Sequence, residues 1–259
     1  MCLIVFAWQR HPHYRLILGA NRDEFHARPA APLGWWSDKP DVAGGRDLAA
    51  GGTWLAAARS GRFATVTNYR EDLRPQPGIR SRGELVTRFL DGDETAFEYG
   101  AALDGESYAG FSLLAGWLGR PGDELVYVSN RGDPACLLAP GVYGLSNASL
   151  DMPWPKVLRS KARLEALLEE GIDEEALFAL LADREPGSSE DIADAIADDL
   201  PEPTVRAITA PFVVTPSYGT RCSTVVLIGT GGDARIRERR FDPEGRLTGD
   251  TRIDFRIGA

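Results

Sequence analysis

The chain opens with an apolar run over residues 3–8 that no polar position interrupts. That is the pattern of a strand buried on both faces. Residues 9–13 read as a turn. A second apolar run over residues 14–19 predicts a hairpin that brings the chain back beside its own start. Beyond Gly19 the pattern becomes polar. In an extended segment Asn21 and Asp23 share one face, with Arg22 and Glu24 on the other. Pro29 is expected to end that ladder. Residues 51–56 open another strand, Ser60-Gly61 forms a hairpin turn, and residues 62–68 return.

The middle of the chain changes period. Ser81-Arg82-Gly83-Glu84 has capping-box spacing and predicts a helix through Leu90. A second short helix fits residues 94–103. Strands resume at 108–117 and 124–129, with short pieces at 136–138 and 142–145. Pro155 suits the first position of a helix that runs to Glu170, with Val157, Leu164 and Leu168 on one stripe and Gly171 as its stop. Asp173 caps another helix. Residues 185–203 read as an acidic surface insertion with one weak helix. Residues 225–228 form a buried strand, and two more strands close the chain. In the last, Ile253, Phe255 and Ile257 alternate with Arg252, Asp254 and Arg256. Strands outnumber helices. An α+β fold of two stacked, mostly antiparallel sheets with helices outside satisfies this pattern, as one domain over residues 1–259.

Composition narrows the function classes. A net charge of −9 over 259 residues argues against a general affinity for nucleic acid or anionic membrane. Arg235, Arg237, Arg239 and Arg240 sit at strand spacing and read as a solvated face or edge. Three cysteines are too few for a disulfide framework, and no CxxC occurs. Cys136 and Cys222 lie in apolar contexts and are expected to be buried free thiols. The first apolar run is too short to span a bilayer and has no basic region before it, so a cytoplasmic protein without membrane insertion is expected.

Cys2 changes the picture most. Cysteine is small, so an aminopeptidase is expected to remove Met1. Residue 2 then carries a thiol and a free α-amine on one carbon, a nucleophile and a general base together. Three segments present polar groups where apolar strands end: residues 21–24, Ser146-Asn147 and Thr220-Arg221. Asp23 can orient the α-amine. The Asn147 amide can donate to an oxyanion. Arg221 can lower the thiol pKa. Each also has a plain structural use: Asn147 as a left-handed turn residue, Arg221 as a partner of Asp23, and Arg22 with Glu24 as a solvated ion pair.

The motifs Met1-Cys2, Ala20-Asn21-Arg22-Asp23-Glu24 and Gly51-Gly52-Thr53-Trp54-Leu55 are followed by Thr67-Asn68-Tyr69-Arg70 and Gly144-Leu145-Ser146-Asn147. Pro153-Trp154-Pro155-Lys156 and residues 218–224, Tyr-Gly-Thr-Arg-Cys-Ser-Thr, complete the set. With these, the chain closely resembles the NRDE family, also called the transport and Golgi organisation protein 2 family. That family in turn looks like the N-terminal nucleophile hydrolases, which implies a four-layer αββα sandwich. The resemblance implies Cys2, Asn21, Asp23, Asn147 and Arg221 as catalytic residues. It sets Arg22, Glu24, Trp54, Asn68 and Arg70 as candidate binding residues, with no metal. The bile-salt and penicillin V acylase group carries Arg immediately before the Asn that matches Asn21. Here Ala20 stands there, and Arg22 is expected to point to the opposite face.

Two functions lead, ahead of a third reading as an interaction protein with a relict site. One is a cysteine hydrolase acting on the amide or thioester of a small acylated metabolite, with no cofactor. The other, from the family's association with haem trafficking and acyl-CoA metabolism, is a non-catalytic carrier of haem or acyl-CoA in the same cleft. His11, His13, His26, Met152 and Cys2 are the local candidates for a haem ligand. Trp8, Trp35, Trp36, Trp54 and Trp154 are candidates to wall a flat pocket.

Overall fold

A computed structural model describes residues 2–69, 80–119, 122–132, 134–188 and 202–258. Arg70, Met1 and most of the acidic insertion lie outside the described residues.

Two antiparallel sheets account for the strands. Sheet I has the order β10-β1-β2-β11-β12-β13, from β1 (Leu3–Trp8), β2 (Tyr14–Phe25), β10 (Gly141–Leu145), β11 (Tyr218–Gly229), β12 (Asp233–Phe241) and β13 (Leu247–Arg256). Sheet II runs β3-β4-β5-β6-β7-β8-β9, from β3 (Ala30–Trp35), β4 (Val42–Asp47), β5 (Leu55–Ala58), β6 (Arg62–Asn68), β7 (Phe111–Trp117), β8 (Glu124–Ser129) and β9 (Cys136–Leu137). The terminal hairpin β1–β2 therefore sits at the centre of sheet I, and β2 runs unbroken through the polar segment that holds Asn21 and Asp23.

Period-two alternation sorts the side chains between three cores. Ile4, Phe6, Trp8, Leu16 and Leu18 pack with Leu33, Leu55, Phe63 and Leu114 of sheet II in a core shared by both sheets. The alternate positions Val5, Ala7, Ile17 and Val225 pack with Leu164, Leu167 and Leu181 of α3 (Pro155–Glu170) and α4 (Glu174–Leu181). On sheet II the alternates Ala56, Ala64 and Leu113 pack with Leu85, Phe89 and Tyr99 of α1 (Gly83–Asp91) and α2 (Ala96–Ala101). A last helix, α5, spans Glu202–Ile208.

Several local expectations are corrected. Strands β3 and β4 follow Pro29, where no ladder was expected. Edge strand β3 accommodates Pro32 because the register shifts between Ala31 and Gly34, the place where a sheet tolerates proline. The Ser81 capping box does not form; Arg82 is the N-cap of α1 and makes no side-chain cap bond. The reciprocal box occurs at α2, between Thr95 and Glu98. Cys136 is exposed on a two-residue edge strand, whereas Cys222 is buried; none of the three cysteines is in a disulfide. Helix α3 has the expected bounds, with Pro155 in its first turn and Gly171 beyond its end at φ 120°. It lies tightly on β10 because a Cβ on Gly144 would stand 2.6 Å from Val157.

Candidate active site at the end of the central hairpin

The ladder registers define transverse rows on the inner face of sheet I. One row is Phe6, Leu18, Val226 and Ile236; another is Trp8, Leu16, Ile228 and Ala234. Both are wholly apolar and buried. At the other end, Arg22 pairs with Cys222 and Cys222 with Arg240. One step beyond the last β1–β2 pair, Leu3 with Asn21, Cys2 reaches the position beside Arg22. The inner face thus ends in a polar row of Cys2, Arg22, Cys222 and Arg240.

The motifs of the chain converge on this end. The Cys2 backbone nitrogen donates to Asn147 Oδ1 at 2.7 Å, and Ser146 Oγ donates to the Cys2 carbonyl at 2.7 Å. Asn147 Nδ2 donates to the Asn68 carbonyl at 2.8 Å. Asn147 has φ 52°, so it is both the left-handed turn residue and the clamp on residue 2. Asn68 contributes its carbonyl, and its side chain is exposed. Cys2 Sγ lies 3.9 Å from the Asp23 carbonyl oxygen. Asp23 Oδ1 accepts from Thr220 Oγ1 at 2.7 Å, and Tyr218 Oη donates to the Asp23 carbonyl at 3.0 Å. Asp23 Oδ2 is buried without a partner.

Electrostatics reverse one expectation. Burial pushes the Cys2 thiol up; the Asp23 carboxylate adds to this and the Arg22 guanidinium opposes it. Burial also raises the Asp23 carboxyl, against the charge of Lys156, the Thr220 bond and Arg22. Lys156 is fully buried and donates to the Ile208 carbonyl at 3.1 Å. Sequence reasoning passed over Lys156. Its signal was its phase: Lys156, Ser160, Leu164 and Leu167 recur at helical spacing on the buried stripe of α3.

Arg221 does not serve the sulfur or Asp23. The β2–β11 register shifts between Thr220 and Cys222, which takes Arg221 out of the alternation. Its guanidinium donates to the carbonyls of Phe25, His26 and Arg28 at 2.9–3.1 Å. Arg22 takes the inner position instead. It is not a solvated partner of Glu24, because its side chain is 6% exposed. Nor does it oppose the face of Ala20. Positions 20 and 22 share parity, and Ala20 faces the core between the sheets. Its guanidinium lies 4.2 Å over the ring of Trp54. Trp54 in turn needs Gly45, since a Cβ there would stand 2.3 Å from the indole. Thr53 Oγ1 ties this loop to the Gly45 carbonyl at 2.7 Å. Glu24 is half-buried; its Oε1 accepts from Phe25 N at 2.9 Å, and Oε2 lies 3.7 Å from Arg28.

Asn21 faces the helices. Its Nδ2 donates to the carbonyls of Leu181 and Pro211, and its Oδ1 accepts from Ser223 Oγ at 2.6 Å. The two Nδ2 bonds anchor α4 and the loop after α5 to β2, and the Ser223 bond joins β2 to β11. The tryptophans do not wall one pocket. Trp8 sits in the far row, Trp36 belongs to the helix-side core of sheet II, and Trp35 stacks edge-on with Phe255. His11 and His13 lie on the turn at the far end of β1, about 20 Å of strand from Cys2. His26 Nε2 is engaged with the Thr215 carbonyl. Met152 is exposed in the loop before α3, His26 Nδ1 is buried without a partner, and Cys2 stands in the row itself. Among the described residues, no group of three or more His, Cys, Asp or Glu side chains could hold a metal ion. A groove of about 420 Å³ between α2 and β8, beside Phe97 and Val128, opens on the helix side of sheet II, away from Cys2. No helix among the described residues is long and apolar enough to cross a membrane.

The model of the family described as Transport and Golgi organisation 2 matches residues 1–243. The human Transport and Golgi organization protein 2 homolog is 36% identical over 258 residues, covering 92% of each chain. The Bos taurus homolog is 37% identical over 256 residues, again 92% of each. Among solved structures, a Caenorhabditis elegans N-acylethanolamine-hydrolyzing acid amidase ortholog superposes with a TM-score of 0.50 at 9% identity, covering 89% of this chain and 93% of that one. That likeness is one of fold.

Proposed function

The chain belongs to the Transport and Golgi organisation 2 family, and on that premise we propose that it is an N-terminal cysteine hydrolase acting on an amide or thioester of a small acylated metabolite. The layering we infer is αββα: α3 and α4, sheet I, sheet II, then α1 and α2. The observation that carries the reading is the clamp on residue 2, in which Asn147 Oδ1 holds the nitrogen and Ser146 the carbonyl, beside a buried carboxylate oxygen with no partner.

Removal of Met1 turns the Cys2 nitrogen into an α-amine. Asp23 Oδ2 is then the acceptor for its additional N–H. The amine takes the thiol proton, which offsets the burial that holds the thiol up. Sulfur attacks the carbonyl, and the second N–H of the Asn147 amide is free to meet the oxyanion. The amine passes its proton to the leaving amine or thiol, and water then releases the acyl group as the acid.

One observation favours the carrier reading, namely that burial raises the Cys2 thiol. The two separate by experiment. Protein with a verified Cys2 terminus is assayed on acyl amides and acyl thioesters beside Cys2→Ala, and haemin is titrated by absorption. Turnover lost in Cys2→Ala supports the hydrolase. Absence of turnover across both substrate classes, with an acyl-CoA bound equally by both proteins or haemin bound through the Cys2 sulfur, refutes it in favour of the carrier.

A further inference from the structure

Like Arg240, whose Nε is buried without a hydrogen-bond partner, Arg22 holds an incompletely bonded guanidinium in the polar row. Its side chain is 6% exposed, yet Nη1 is buried without a hydrogen-bond partner. Two carboxylates lie near without closing on it, Glu24 at 3.8 Å and Asp47 at 3.9 Å. Both are engaged elsewhere. Asp47 Oδ2 accepts from Arg28 Nε at 2.9 Å, and its Oδ1 accepts from the backbone of Ala49 and Ala50. Glu24 accepts from Phe25 N. The Cys2 sulfur leaves Nη1 unpartnered as well.

Leaving a charged donor unpaired inside a protein is costly, and a bound ligand is one of the ways such a group is completed. The guanidinium carbon stands 4.2 Å over the Trp54 ring, which braces it in place. A planar fork on a rigid plate suits a carboxylate, which can accept two parallel N–H bonds. Thr67 Oγ1 adds a second buried polar atom without a partner. It lies on β6, two places after Thr65 and four after Phe63, the residue that faces the core between the sheets. Neighbouring strand positions stand about 4.5–5.5 Å apart at Cα, so Arg22 and Cys2 are within reach of one small ligand.

We propose that Arg22, braced by Trp54, is an anion subsite beside Cys2, and that the ligand of this cleft carries a carboxylate close to the group that meets the sulfur. An N-acyl amino acid or an acyl thioester with a neighbouring carboxylate has that chemistry. The inference rests on Cys2 lining the ligand cleft, and it does not require turnover.

The test uses two alkylating reagents of nearly equal size, anionic iodoacetate and neutral iodoacetamide. In each, the thiolate forms a C–S bond as iodide leaves. Exposed Cys136 is the reference thiol in the same chain. The iodoacetate-to-iodoacetamide rate ratio at Cys2, mapped by peptide mass, is expected to exceed that at Cys136 by about tenfold. The excess should collapse in about 1 M salt, where screening shortens to ~3 Å. It should vanish in Arg22→Gln and survive in part in Arg22→Lys. Equal ratios at the two cysteines overturn the subsite while leaving Cys2 reactive. If neither reagent labels Cys2, the nucleophile reading fails, and a second measurement decides the subsite. Saturating hexanoate should then raise Tm by about 2 °C more than hexanamide does; no difference overturns the proposal. Should Arg22→Gln fail to fold, the wild-type ratio, its salt dependence and the hexanoate shift still decide.

Discussion

Arginines stand beside carboxylates on both faces of sheet I, and the two faces use them in opposite ways. On the outer face, Arg237 reaches Asp250 through two nitrogens at 2.8 Å and also meets Glu174 and Glu175. Arg235 and Arg239 repeat this with Asp254, Glu174, Asp250 and Glu175. These pairs tie the first turn of α4 to β12 and β13, a position where acidic residues also favour the helix dipole. On the inner face, Arg22 is nearly buried and lacks a bond at Nη1, while Asp23 on the helix face beside it lacks one at Oδ2. A satisfied network at the surface is scaffolding. An unsatisfied pair in the interior is where a ligand or a new terminus has something to add.

The comparison breaks most readily at Asn147. Asn147→Ala removes both the clamp on residue 2 and the proposed oxyanion donor. Turnover should fall by about 10²–10³ in kcat, with KM changed much less, a split that steady-state kinetics would show. An equal loss in kcat/KM carried wholly by KM would assign Asn147 to ground-state binding.

Asp23→Asn sharpens it through stability. Burial lifts this carboxyl above its ordinary value of 3.8, so the folded chain holds the proton more readily than the unfolded one. The stability it contributes is therefore complete below the ordinary value and is lost as pH rises through the lifted one. In protein that retains Met1, where no α-amine of residue 2 meets Oδ2, the variant should be more stable than wild type at pH 7, on the scale of the ~1–3 kcal/mol that an unpaired buried polar group costs. The gap should close toward acid pH in denaturant titrations, while the mature variant loses activity. A variant less stable at pH 7 would mean that Asp23 is structural.

Arg237→Gln is the outer-face counterpart and the smallest effect. Partly exposed pairs of this kind contribute about 0–1 kcal/mol. A modest fall in Tm, reduced in high salt, with unchanged Cys2 chemistry, is expected. A large loss of activity would erase the distinction between the faces.

Much of this arrangement was legible from the chain. The apolar runs at 3–8 and 14–19 led to the central hairpin, and alternation after Gly19 put Asn21 and Asp23 on a common face, as found. Strands β3 and β4 escaped because Pro29, Pro32 and three glycines weaken every local strand signal there; pairing within sheet II stabilises them instead. Arg221 was misplaced because a bulge cannot be seen in a period-two pattern, and one extra residue turns a side chain away. Cys136 looked buried because its neighbours are apolar, but a two-residue edge strand has little to cover it. The burial of Arg22 and Lys156 was the hardest to foresee, since composition alone favours a solvated charge.

The role of residue 2 as the proposed nucleophile is the first thing to measure. Mature protein with a verified Cys2 terminus is incubated with an activated acyl ester, quenched in acid, and mapped by peptide mass. One acyl group per chain is expected on the Cys2 peptide, absent from Cys2→Ala and slowed in Asn147→Ala. Acylation spread over Cys136 and surface lysines, with residue 2 unmodified, would contradict it.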